Sequence, residues 1–252
     1  MRKVLLTCFF LGVIIQFIFA QNNEHKEGGR FVKKIEYNFW AINYYNTSGK
    51  SEIEKLFFGE VNAPIEFFYT DDYIGYFGFR IIKDSISLSN SLEVKYISNY
   101  KEAVKKAEEM FPLKSTILAK FDPEYDMNLE QALKHNKKMR AKYLEVLPTL
   151  YMIETRYFQV NNFFAEELRK KTVSLIANFI AKGIPPFISG GNTFTFRAVV
   201  GDEVWSLWIH EPTGNALKMA NLCKQIIKNA QTNQFDESMY MSILNTFEFE
   251  NQ

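Results

Sequence analysis

The sequence predicts a single α+β domain, mainly an antiparallel sheet packed by several helices. Three observations carry that reading. Short segments rich in aromatic and β-branched residues are interspersed with stretches of helical periodicity, each bounded by turn residues or capping signals. One pair of segments, within residues 193–210, pairs as a hairpin that gathers its apolar side chains on one face. No internal repeat, low-complexity tract or linker-like composition divides the 252 residues, and such a mixture of elements builds a sheet with segregated helices. The composition supplies the core: aromatics are 16% of the chain, with 24 Phe and 13 Tyr, and each buried ring removes a large apolar area from water. The one plausible seam is the Gly183–Gly191 loop.

The elements follow in order. Arg2 and Lys3 precede an almost unbroken apolar run from Val4 to Phe19, closed by Ala20 and the polar Gln21-Asn22-Asn23-Glu24. Charge, apolar core and small exit residue form the pattern of a secretory signal peptide over residues 1–20. The run is about sixteen residues, short of the roughly 20 that span a bilayer core, so no membrane span is expected after cleavage. Residues 21–30, with Gly28-Gly29, form a loose lead-in to a single exported domain over 21–252. The Phe19-Ala20-Gln21 junction and the Asn/Lys/Phe-rich composition resemble exported proteins of Gram-negative bacteria from anaerobic habitats. That resemblance covers little more than the leader. It implies a periplasmic or secreted location and carries no activity.

Phe31 to Tyr45 is aromatic and β-branched enough for a strand. Ser51 with Glu54 forms a capping box that opens a helix to Phe58. Ile65–Thr70, Gly75–Lys83 and Ser91–Ser98 are three strands. Asn99 with Glu102 is a second capping box, opening a helix to Met110 that stops at Phe111-Pro112. Lys114–Phe121 has strand character, and Asn128 with Gln131 caps a helix to Leu147. Leu150–Val160 is a strand, and Phe163–Lys182 a helix stopped by Gly183 and Pro185-Pro186. After the hairpin come a helix from Thr213 to Gln231 and a short one from Asp236.

The hairpin is the best-determined element. With Gly201-Asp202 as its two-residue turn, Ala198 falls opposite Trp205, Phe196 opposite Leu207 and Phe194 opposite Ile209. A one-residue slip would set apolar against polar throughout. The other face then carries Thr193, Thr195, Arg197 and Val199, with Val204, Ser206, Trp208 and His210 beside them. A tryptophan beside an arginine and a histidine on a polar face is read as a stacking platform for a sugar or another planar ligand. The competing reading is that a helix covers this face and Trp208 is core.

Bulk charge and motif content narrow the chemistry. Cleavage removes Arg2, Lys3 and no acid from 30 basic and 29 acidic residues, leaving 28 and 29 and a formal charge of −1. Such a chain has no global field for nucleic acid or anionic lipid. Cys8 leaves with the leader, so Cys223 has no disulfide partner. Set among Ala220, Ile226 and Ile227 on one helix face, it reads as a core cysteine rather than a thiolate nucleophile. Ser206 and His210 lie four residues apart on one strand, roughly 13 Å, against the roughly 3 Å a nucleophile–base pair requires. His25, His135 and His210 are scattered without ligand spacing. Asp122, Glu124, Asp126, Asn128 and Glu130 begin like a calcium loop, but Met127 and Leu133 stand where glycine and the bidentate glutamate belong. Asp71-Asp72 pairs as acid and base or simply builds a turn. Lys134, Lys137, Lys138, Arg140 and Lys142 occupy the solvated side of a helix whose apolar stripe is Leu129, Leu133, Met139, Tyr143 and Leu147. Gly190-Gly191 precedes a strand, so no helix N-terminus receives an anion there.

The expectation is therefore a non-enzymatic exported binding or interaction domain. Its contact residues are Arg197, Trp208, His210, Thr195 and Ser206, its partner is a protein or small ligand, and no metal, cofactor or nucleic acid is involved. A secreted hydrolase with an acid/histidine site and a structural envelope subunit are the alternatives.

Overall fold

The computed structural model describes residues 31–35, 50–83, 89–114, 125–179, 191–201 and 203–247. Strand β1 is Phe31–Ile35, followed by helix α1 (Glu52–Phe58), β2 (Ile65–Asp71), β3 (Gly75–Lys83), β4 (Asn90–Ile97) and α2 (Tyr100–Met110). Then come α3 (Tyr125–Val146), a 3-10 turn (Leu147–Leu150), β5 (Ile153–Val160) and α4 (Asn162–Asn178). The chain continues with β6 (Asn192–Val200), β7 (Glu203–His210), α5 (Gly214–Gln231) and α6 (Glu237–Asn245). The expected leader, the lead-in, most of the Phe31–Tyr45 and Lys114–Phe121 strands, and the Gly183–Gly191 seam apart from Gly191 lie outside the described residues.

The fold is α+β, with the seven strands of the described residues in one sheet of order β1-β7-β6-β2-β3-β4-β5. Six pair antiparallel, and β1 joins the edge parallel to β7. Strands β2–β3–β4 form a meander, and the β6–β7 hairpin returns from the far end of the chain to pair with β2. Central β2 is covered on both sides, which is why Ile65 to Tyr69 is buried without alternation.

On one face, Phe67, Tyr69, Phe79, Leu92, Phe194, Phe196 and Leu207 meet α4, α5 and α6 in the main core. Cys223 sits in this core, where burial pushes its thiol pKa well up. On the other face, Phe57 and Phe58 of α1 pack with Phe68 and Ile97 of the sheet in a smaller cluster. Gly78 makes room for it: a Cβ there would lie 2.9 Å from Phe58 and 2.9 Å from the Phe67 carbonyl oxygen.

Four local expectations change. Asn99 makes no cap bond; its side chain donates to the Leu150 carbonyl and accepts from Met152 N, tying α2 to the approach to β5. Helix α3 starts at Tyr125, ahead of Asn128. Of its expected stripe, Leu129, Met139, Tyr143 and Leu147 are half-buried or buried, whereas Leu133 is exposed and neighbouring Ala132 is buried. Helix α4 ends at Asn178, with Phe179 extended, before the glycine and prolines. Among the described residues, no helix is long and apolar enough to cross a membrane.

Candidate functional site

The hairpin forms in the expected register, with Ala198 opposite Trp205, Phe196 opposite Leu207 and Phe194 opposite Ile209. Gly201 supplies the turn's positive φ of 64°. The polar face divides into three levels along the strands.

The first level, Arg197 with Ser206, is buried. Pairing across the sheet aligns Ser206, Arg197, Glu66, Arg80, Glu93 and Tyr157, one residue from each of six strands. Arg197 is 2% exposed and donates to Glu66 Oε2 at 2.9 Å and to Glu54 Oε1 at 3.0 Å. Burial opposes its charge, but the two carboxylates outweigh it and hold the guanidinium pKa above its ordinary value. Glu66 also accepts from Lys50 at 2.8 Å and from Ala63 N at 2.9 Å. Farther along, Glu93 accepts from Arg80 and from the Tyr157 hydroxyl. Burial pushes the Glu93 carboxyl up, while those bonds and the charges of Lys95 and Arg80 pull it below the usual glutamate value.

This level also anchors α1. Glu54 Oε2 accepts from Ser51 N and Oγ in the expected capping box, while its other oxygen meets Arg197. At the helix's opposite end, Arg80 and Lys95 donate to the Phe58 and Phe57 carbonyls, filling acceptors left over at a helix C-terminus. Arg197 is therefore directed at the protein's own carboxylates.

The second level pairs Thr195, buried, with Trp208, half-buried. The third pairs Thr193 with His210, and the Thr193 hydroxyl bonds that of Thr70 on β2. His210 Nε2 on this face, and Asn192 Oδ1 on the opposite side of β6, are buried without a hydrogen-bond partner among the described residues. Gly191, at φ 118°, passes so close that a Cβ would lie 3.2 Å from His210 Cε1 and 2.4 Å from Glu211 Oε1. Glu211 accepts from Asn192 N at 2.6 Å, closing the hairpin end. No protein-family model matches the chain, and no curated protein or solved structure matches it.

The other candidates disperse. Asp71 Oδ1 accepts from Tyr73 N and Ile74 N, building the β2–β3 turn. His135 Nε2 lies 3.1 Å from the Pro112 carbonyl oxygen. The basic side chains of α3 are exposed. Among the described residues, no group of three or more His, Cys, Asp or Glu is arranged to hold a metal ion.

Sequence reasoning missed Lys50, Glu54, Glu66, Arg80 and Glu93 as a connected set. The available signal was an isolated charge inside an apolar strand: Glu66 in IEFFY, Arg80 in GFRII and Glu93 in LEV. A charge at such a position requires a buried partner.

Proposed function

We propose that this chain is an exported binding domain whose contact strip is Thr195, Trp208 and His210. Arg197 and Ser206 support that strip from the buried level beside it. The observation that carries this reading is His210 Nε2, buried without a hydrogen-bond partner among the described residues, on the same side of β7 as Trp208. Buried polar atoms almost always have partners, and an imidazole nitrogen suits a ligand bearing a hydroxyl group. Trp208, two residues before His210 and on the same side of β7, is half-buried, and an indole is a side chain with both an apolar face and a polar edge. A carbohydrate combines both requirements, an apolar ring face and hydroxyls able to donate and accept. The leader-like residues 1–20 support export; mass spectrometry of the mature protein is expected to find Gln21 at its N-terminus.

Calorimetric titration of the protein with a panel of sugars tests the site. Trp208→Ala is expected to remove binding while circular dichroism and the melting temperature stay near wild type. Unfolding of that variant would make Trp208 a core residue and end the proposal. The hydrolase alternative needs His210 or Asp71 beside a second titratable group. Asp71 is engaged by its own turn, and among the described residues no ion pair joins His210 to a carboxylate.

A further inference from the structure

We infer that the free edge of β5 pairs antiparallel with β5 of a second copy of this chain, about a two-fold axis at Thr155. Among the described residues, strand β5 ends the sheet and pairs with β4 alone. It is eight residues long, and most of it is half-buried or exposed. Long unpaired edges invite strand addition, and proteins normally blunt them with proline, bulges or charge. This one has no proline, and its two charges have opposite sign: Glu154 and Arg156.

The backbone directions are set by the pairing with β4. The Met152 carbonyl accepts from Ser98 N at 3.0 Å, in register with the β4–β5 ladder. Backbone groups alternate sides along a strand. Ile153, Thr155, Tyr157 and Gln159 therefore turn their N–H and C=O groups away from β4, toward the open edge.

The sequence Met152-Ile153-Glu154-Thr155-Arg156-Tyr157-Phe158 is self-complementary about its centre. With Thr155 opposite its own copy, Glu154 meets the partner copy's Arg156, Ile153 meets Tyr157 and Met152 meets Phe158. Each charge faces its opposite and each apolar residue faces another, twice over, as an isologous contact requires. Thr155 is a hydrogen-bonded pair in this register, so the Glu154–Arg156 pairs fall at the closer, non-hydrogen-bonded positions. Moving the axis to residue 154 or 156 sets like charges opposite one another. Within the chain Arg156 reaches Glu154 at 3.5 Å, while its Nε is buried without a partner among the described residues, and Met152 and Tyr157 are each 64% exposed. The charges that would repel a random strand thus select this one.

Sedimentation of the full chain, with charge-reversed variants, tests the inference. The wild type is expected at twice the chain mass. Glu154→Arg and Arg156→Glu are each expected at the mass of one chain, because each sets like charges together. An equal mixture of the two is expected to return to the doubled mass, because opposite charges then face at both positions. Thr155→Pro, which removes an N–H that β4 does not use, is expected to be monomeric with an unchanged far-ultraviolet spectrum. A monomeric wild type, single variants that stay dimeric, or a mixture that does not combine would each overturn the inference.

Discussion

Arg197 joins the two carboxylates that hold α1 and β2 to the hairpin. Removing one partner from a buried ion pair typically costs about 3–5 kcal/mol, because a charge is left without compensation. Arg197→Ala is expected to lower the unfolding free energy by about that amount in urea titrations, because it leaves Glu54 without a buried counter-ion and Glu66 with Lys50 alone. Glu93 adds an acid dependence. Its carboxyl titrates below the ordinary glutamate value, so its stabilising share is complete above about pH 4.3. That share is lost as pH falls through the lower folded value. Urea midpoints followed from about pH 6 to about pH 2 are expected to fall less steeply in Glu93→Gln than in wild type. At this scale the sequence is legible in part. Isolated charges in apolar strands announce a need for partners, but pairing Arg197 with Glu66 requires knowing that β2 and β6 are neighbours.

Elements governed by local chemistry were readable. Gly201-Asp202 and the alternation around it fix the register of β6 and β7, and Ser51 with Glu54 fixes the start of α1. Where local chemistry competes with a long-range contact, reading fails: Asn99 leaves its own helix to bond Leu150 and Met152. The seat of α1 is a long-range feature of this kind. Phe58 rests on Gly78, and the nearby Phe67 carbonyl belongs to the strand backbone and cannot swing aside. Gly78→Ala is expected to lift α1, weakening its bonds to Arg80, Lys95 and Arg197 together. The check is faster amide hydrogen exchange over residues 52–58 than in wild type, with β4 and β5 still protected.

The strand order of the whole molecule was not legible, because nothing in a strand's own residues states its neighbour. Alternation indicates that a sheet exists, and turn chemistry links β2 to β3 and β6 to β7. Placing β6 beside β2, and β1 parallel to β7, depends on the complete core. A chain ending at Asn178 retains β2 to β5 but loses the hairpin, α5 and α6, and with them much of the main core. Such a fragment is expected to melt without a cooperative transition in calorimetry. The same topology sets an order of events. Arg197 meets Glu66 across 131 residues and Glu54 across 143, so the loop closed by that contact spans more than half of the 252-residue chain. Contacts this distant form slowly. Until β6 has been made, Glu54 has no buried counter-ion and gains by staying hydrated. The first half of the polypeptide is thus kept from closing early by its own charge, a delay that would keep the chain open for threading across a membrane if the proposed export holds.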